Sequence, residues 1–316
     1  MGSSVIIFPG QGSQAVGMGK DVADISAAAA EVFRRADAAL GFELSKVCFE
    51  GPETALTQTD IQQPAIFTTS VAIWEALLER GVAADTILGA AAGLSLGEYT
   101  ALYAAGSIGF EDGLKLVRRR GELMQTAAEA TPSGMVSIIG GDATAVEALC
   151  ADAAEGDVLT PANFNCPGQI VISGATTACE RAVERASKHG VRAVMLKVAG
   201  AFHSALMAPA AEAFGPVLEA TPIQPPRRPV IANVSAQPHG DGPAIRKALG
   251  DQITHAVRWQ ESIQSLIDQG FDRFIEVGPG RVLTGLMRKI NRNVKAINIS
   301  KADALDIEPL HFAAPK

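Results

Sequence analysis

The pentapeptide Gly93-Leu94-Ser95-Leu96-Gly97 is the stretch that most restricts what this chain can fold into. Before it runs Thr86-Ile87-Leu88-Gly89-Ala90, an apolar segment of buried-strand length. After it, Glu98 to Ala105 suits a helix. Gly-x-Ser-x-Gly between a strand and a helix reads as a nucleophile elbow. So tight a turn strains the serine backbone, and its neighbours must lack side chains. The turn lifts the Ser95 hydroxyl clear of the sheet edge. It also aims the Leu96 N–H and the positive end of the helix at any oxygen that becomes negative there. Two glycines and a serine also fit an ordinary loop; the flanking strand and helix favour chemistry.

At 316 residues the chain exceeds one ordinary core, which suggests one large domain or a large domain with an insert. Hydrophobic residues make up 47% and charged residues 19%, so the class is soluble and globular. No apolar run has the length of a membrane span. Met1-Gly2-Ser3-Ser4 leads straight into Val5-Ile6-Ile7-Phe8 with no basic leader, so a cytoplasmic protein without membrane contact is expected. The net charge of −7 and the lack of a basic tail argue against nucleic acid as a partner. Cys48, Cys150, Cys166 and Cys179 show no paired metal spacing and read as reduced, mostly buried thiols, so no metal is expected.

Val5 to Phe8 reads as a strand, followed by the glycine-rich turn Pro9-Gly10-Gln11-Gly12-Ser13-Gln14. That turn matches neither phosphate-binding pattern; it is a plain turn or presents N–H groups and the Gln11 amide to a site. Ile25 to Leu40 is expected helical, as is a segment ending near Arg80 with Asp60 as its cap and Pro64 in its early turn. Phe110 to Ala128 is a further helix carrying Arg118, Arg119 and Arg120. Successive helical residues sit about 100° apart, so at most one or two of these arginines can point inward. From Met135 to Val198 the pattern is β-α-β-β-α-β, the ferredoxin-like order, with Asn163, Asn165, Pro167 and Gly168 in the turn between its second and third strands. Strands at Val230 to Ala232, Arg273 to Val277 and Lys295 to Ile299 and helices at Pro243 to Leu249, Trp259 to Gln269 and Arg281 to Ile290 complete the chain. The tail from Lys301 has no clear periodicity.

A serine on an elbow needs a base, an orienting group and an oxyanion hole. Among the five histidines, His203 stands at a strand-to-helix junction among small and apolar residues. His239 lies in a Pro/Gly/Asp loop, and His255 is a weaker candidate. No acidic residue near His203 offers itself, which argues against a standard lipase or esterase.

Phe8 to Gln14, Gly93 to Tyr99, Arg120-Gly121 with Met124-Gln125, Ala201 to Ser204, Gln252 ahead of Val257-Arg258-Trp259, and Glu276 to Gly280 occur in this order. In these stretches the chain resembles the malonyl-CoA:acyl carrier protein transacylases of type II fatty acid synthesis, from Val5 to about Ser300. The resemblance implies an α/β fold: a hydrolase-like large domain with a parallel-sheet core (1–130 and 200–300), an inserted ferredoxin-like small domain (131–199), and a tail (301–316). It implies Ser95 as nucleophile, His203 as base, and Gln252 as its orienter through the backbone carbonyl. The Gln11 and Leu96 N–H groups would form the oxyanion hole. Arg120 would grip the free malonyl carboxylate in a fork. Phe202 would narrow the space beside the substrate's C2, and Met124, Asn163 and Gly10 would complete the substrate site. No cofactor is implied beyond the phosphopantetheine carried by the acyl carrier protein; the enzyme is expected to be a monomer using malonyl-CoA. One departure stands out: the family usually has histidine before the serine, where this chain has Leu94, so the packing behind Ser95 must differ.

Two other functions fit the residues: a serine hydrolase such as a thioesterase, and a non-catalytic module that binds carrier protein. Carrier proteins are acidic, so a locally basic docking surface is expected, with Lys115, Arg118, Arg119, Arg288 and Lys289 as candidates.

Overall fold

The structure is a computed structural model that describes residues 4–306. Nine strands lie among them: β1 (Ser4–Phe8), β2 (Leu88–Gly93), β3 (Ser133–Ile139), β4 (Leu159–Cys166), β5 (Gln169–Ala175), β6 (Arg192–Met195), β7 (Val230–Ile231), β8 (Arg273–Val277) and β9 (Lys295–Ile299).

β1 is apolar at four successive positions because both of its faces are covered. Ile6 and Phe8 point into one core, with Phe67, Trp74 and Leu116. Val5 and Ile7 point into another, with Trp259, Ile263, Leu283 and Met287. The alternation is the two-residue period of a strand expressed between two helical layers. β1 pairs in parallel with β2 and β8, β2 with β7, and β8 with β9, which gives the order β7-β2-β1-β8-β9. Helices Thr59–Glu79 and Phe110–Ala130 cover the first face; Trp259–Asp268 and Val282–Ile290 cover the second.

The second sheet is antiparallel, in the order β4-β5-β3-β6. Val136, Ile138, Ile170 and Ile172 pack against Val146, Leu149, Ala178 and Ala182 of helices Ala143–Ala154 and Thr176–Arg185. With both helices on one face, this is the ferredoxin-like arrangement. The alternate residues Met135, Ser137, Asn163, Asn165, Gln169 and Val171 line a cleft instead. The backbone ties β4 to the segment just before helix Trp259–Asp268: Val257 N–H donates to Ala162 C=O (2.8 Å) and Phe164 N–H to Val257 C=O (2.9 Å).

Several boundaries differ from the sequence expectation for local reasons. The expected Ile25 to Leu40 helix runs from Ala27 to Leu40, because the Ser26 side chain caps it by accepting from Ala29 N–H, and Ile25 instead ends a separate short helix, Lys20–Ile25. Ile87 belongs to a helical turn, Ala84–Ile87, and the strand begins at Leu88. Asp60 is no cap: it lies inside helix Thr59–Glu79 and pairs with Arg118, while Pro64 sits further into that helix. Asn163 and Asn165 belong to β4, leaving Pro167-Gly168 as the turn. The expected strand from Val191 to Val198 is only Arg192–Met195. Part of the tail is docked: Ala302 N–H donates to Asp21 (2.9 Å), Leu305 is buried, and Asp306 pairs with Arg80. Residues 307–316 of that tail lie outside the described residues.

Candidate active site

The elbow joins β2 to helix Gly97–Ala104. Ser95 has φ +50°, a conformation that side chains rarely adopt and that persists only when the surroundings impose it. The flanking glycines show what imposes it. A Cβ on Gly93 would lie 1.9 Å from Gly97 C, and one on Gly97 would lie 2.1 Å from Phe8 O. The turn therefore closes only where backbone meets backbone. Leu94 N–H donates to Phe8 C=O (3.1 Å), which ties the elbow to the adjacent strand. Leu94 itself is half-buried: it lines the cleft wall and packs against the core that holds Val5 and Ile7.

Asn233, just past the end of β7, completes the clamp. Its Oδ1 accepts from Ser95 N–H (2.6 Å) and its Nδ2 donates to Gly93 C=O (2.7 Å). Nothing in the local pattern around Asn233 announces this role. The available signal was its place at the carboxyl end of a parallel strand, where sites in such sheets form.

Ser95 Oγ lies 2.8 Å from His203 Nε2. The other ring nitrogen, Nδ1, lies 2.7 Å from Gln252 C=O. A carbonyl only accepts, so Nδ1 carries the proton and Nε2 is free to take one from the serine. His203 also has positive φ, +60°. Burial and the neighbouring Arg120 cation push its pKa down to about 4, against a smaller upward pull from the Gln252 carbonyl. The imidazole is thus a neutral base at neutral pH.

Arg120 is the inward arginine of its helix and is fully buried. Its Nη2 donates to Ser95 Oγ (3.0 Å) and Gln252 Oε1 (2.9 Å), its Nη1 to Gln63 Oε1 (2.8 Å). Its Nε has no partner among the described residues. The guanidinium lies 5.6 Å from the centre of the Tyr99 ring. No described carboxylate forms an ion pair with it; burial lowers its pKa, yet a guanidinium keeps its charge. A buried cation with polar but uncharged neighbours is a site for an anion.

The cleft over Ser95 has a volume of about 850 Å³. Gln11, Asn163 and Phe202 line it together with Ser95 and His203. The Gln11 side chain is held by Gln62 (Nε2 to Oε1, 2.5 Å). Leu96 is buried directly after Ser95, and neither its N–H nor that of Gln11 donates to another loop carbonyl among the described residues. Gln252 closes helix Gly242–Gln252 and meets both His203 and Arg120 from beneath.

Three expected substrate residues do not line the cleft: Arg120, which reaches its floor only through Ser95 Oγ, and Met124 and Gly10. Met124 is buried behind Gln63, its Sδ 3.6 Å from Gln63 Nε2. Gly10 abuts the elbow: a Cβ there would lie 2.3 Å from Leu94 O. Gln63, which no local sequence pattern marks, is the residue that fixes Arg120 Nη1. The expected docking arginines also separate. Arg118 is paired with Asp60 and Glu122 and Arg119 with Glu122, so local carboxylates neutralise both. Lys115 is exposed but does not line the cleft. Arg288 and Lys289 are exposed on the helix whose Val282 and Leu286 form the cleft rim.

An elbow serine, a histidine oriented by a carbonyl and a buried cation at the nucleophile are the parts of an acyl-transfer site. The chain belongs to the acyl transferase domain family, whose model matches residues 5–305. Within it the chain falls among the malonyl CoA-acyl carrier protein transacylases. It is 44% identical over 309 residues to that protein of Bacillus subtilis, covering 97% of this chain and 96% of the relative. It is 41% identical over 300 residues to that of Escherichia coli K12, covering 95% and 96%. Among solved structures, the acyl-carrier-protein S-malonyltransferase of Bartonella henselae superposes with a TM-score of 0.93 at 43% identity, covering 97% of this chain and 98% of that one. A type II PKS acyl-carrier protein in complex with its malonyl-transacylase matches with a TM-score of 0.92 at 39% identity, covering 96% and 97%.

Proposed function

We propose that this protein moves the malonyl group from malonyl-CoA to the phosphopantetheine thiol of an acyl carrier protein through a malonyl ester on Ser95, supplying malonyl-carrier for fatty acid synthesis. The observation that carries this reading is the Arg120 cation, fully buried without a carboxylate partner and 3.0 Å from the hydroxyl that would be acylated. An acyl group ending in a carboxylate supplies the missing anion; acetyl does not.

In the first half-reaction Ser95 Oγ attacks the thioester carbon while its proton passes to His203 Nε2. Nδ1–H stays on the Gln252 carbonyl, which stabilises the imidazolium. The developing oxyanion faces the Gln11 and Leu96 N–H groups. Coenzyme A leaves as its thiol, taking the proton back from Nε2. In the second half-reaction the carrier's thiol gives its proton to Nε2 and attacks the ester, and Ser95 leaves as the re-protonated alcohol. The thiolate of a thioester leaves easily, so a carbonyl can replace the usual carboxylate behind the histidine. Ser95 and His203 are only 7% and 5% exposed, which limits access of water to the ester. Phe202 narrows the space beside the substrate's C2, and Asn163 lines the same cleft. No bound cofactor is required by these steps, and the protein is read as a cytoplasmic monomer. Among the described residues no helix is long and apolar enough to cross a membrane.

Intact mass after incubation with malonyl-CoA tests the reading. A malonyl adduct that is lost in Ser95→Ala and discharged by carrier protein is expected. Rapid release of free malonate without carrier would assign a hydrolase, and no adduct at all would leave only a binding module.

A further inference from the structure

Behind the elbow lies a second buried charge that the steps above do not use. Glu98, in the first turn of helix Gly97–Ala104, is fully buried, and no described lysine or arginine pairs with it. Its Oε1 lies 2.6 Å from His239 Nε2, whose side chain is 1% exposed. Its Oε2 accepts from Gln252 Nε2 (2.6 Å) and from Asn233 N–H (3.2 Å). His239 arrives because the chain doubles back after β7. Ala232 N–H donates to Gln237 C=O (2.9 Å), His239 N–H donates to Val230 C=O (2.8 Å), and Ile231 bridges Pro238 antiparallel.

The donor and acceptor inventory fixes the direction of every bond. A carboxylate accepts only, so both His239 Nε2 and Gln252 Nε2 must donate to it. Gln252 Nε2 also donates to Ser95 C=O (3.0 Å). Both hydrogens of that amide are therefore used, and its Oε1 is left facing Arg120 Nη2. Without Glu98 one of those hydrogens loses its acceptor in a buried site. The amide is then free to turn its donors against the guanidinium. Glu98 also sits on the far side of the Gln252 amide from Arg120 and favours the charged guanidinium without pairing with it. A direct ion pair would have occupied the arms that a substrate carboxylate needs.

We propose that Glu98 and His239 are a positioning pair for acyl-group selection: His239 holds Glu98, Glu98 holds the Gln252 amide, and that amide aims Arg120 at the acyl group's free carboxylate. The inference rests on the malonyl-transfer reading. Its signature is therefore a change in discrimination, not in overall activity.

The experiment compares malonyl-CoA and acetyl-CoA as acyl donors for single-turnover acylation of Ser95 in wild type, Glu98→Gln, His239→Ala and His239→Gln. Glu98→Gln is expected to lower kcat/KM for malonyl-CoA about tenfold, the scale of one lost charge-assisted hydrogen bond, with acetyl-CoA changed about twofold or less. His239→Ala is expected to shift the malonyl-to-acetyl ratio in the same direction. His239→Gln, which restores a donor to Glu98, is expected to recover the ratio at least in part. If Glu98→Gln does not fold, the two His239 variants decide alone. An equal fall for both donors, or an unmoved ratio, marks the pair as merely structural and overturns the inference. Wild type separates this from the parent reading, because failure of the unaltered protein to prefer malonyl-CoA sinks the function itself.

Discussion

Arg120 Nη2 and His203 Nε2 share one oxygen: Ser95 Oγ lies 3.0 Å from the first and 2.8 Å from the second. The hydroxyl accepts from the cation and donates to the imidazole. The same guanidinium is thus placed to favour alkoxide character on the nucleophile and to receive an acid at the end of the acyl chain.

Arg120→Ala separates those two effects. Loss of the substrate's partner in a desolvated site is expected to cost malonyl transfer roughly 2–5 kcal/mol, with acetyl transfer reduced far less. Arg120→Lys keeps a charge but loses the fork, so it should fall between wild type and Ala for malonyl-CoA. Steady-state kcat/KM with both donors reads this out, and an unchanged malonyl preference in Arg120→Ala would remove the residue from substrate binding.

Asn233 makes a different prediction, because its side chain hydrogen-bonds backbone only. Asn233→Ala leaves Ser95 N–H and Gly93 C=O without partners inside the protein. The expected loss of stability is about 1–3 kcal/mol, seen as a lower denaturation midpoint. Because the clamp holds Ser95 at φ +50°, acylation should slow for malonyl and acetyl donors alike. A shift in their ratio would contradict a purely conformational role.

The contrast between these residues shows what the sequence could disclose. The helical period limited the inward arginines to one or two and only the family resemblance singled out Arg120, whereas the strand of Val5 to Phe8 and the elbow were legible because each is written in neighbouring residues, an apolar run and a glycine spacing. The ferredoxin-like order was legible for the same reason, although its loop asparagines proved to be strand residues facing the cleft. Asn233, Gln63 and His239 were not legible. Their partners lie 138, 57 and 141 positions away, and nothing in the local chain distinguishes them from ordinary polar loop or helix residues. Pro, Gly and Asp surround His239; that composition marks a turn but does not say where the turn delivers a side chain.

Glycine placement gives a paired test of the elbow. Gly97→Ala sets a Cβ 2.1 Å from Phe8 O, so the backbone of β1 or of the turn must move. Acylation of Ser95 should be abolished even where the protein still folds. Gly285→Ala, in helix Val282–Ile290 with open space at its Cβ, should instead stabilise by roughly 0.5–1 kcal/mol. Thermal denaturation and adduct mass on both variants check the pair; full acylation by Gly97→Ala would refute the close-packing account.

Histidine chemistry supplies the last test. His203 has an ordinary value of 6.5 and is held down to about 4 by burial and by Arg120. Between those values the unfolded chain binds a proton that the folded chain refuses, so stability falls as pH drops through that window and levels off below it. The full difference is about 3 kcal/mol, and His203→Gln should remove this part of the pH dependence. Activity should follow the folded value: the acylation rate should stay level as pH falls past 6.5 and decline only near the lower one, because the base remains neutral. Arg120→Ala removes the second cause of the shift, so in that variant the acid limb should move toward higher pH. Single-turnover acylation with acetyl-CoA, which leaves out the malonyl carboxylate, measures the limb in both proteins. An acid limb at 6.5 in wild type would mean that the imidazole is neither desolvated nor facing the guanidinium.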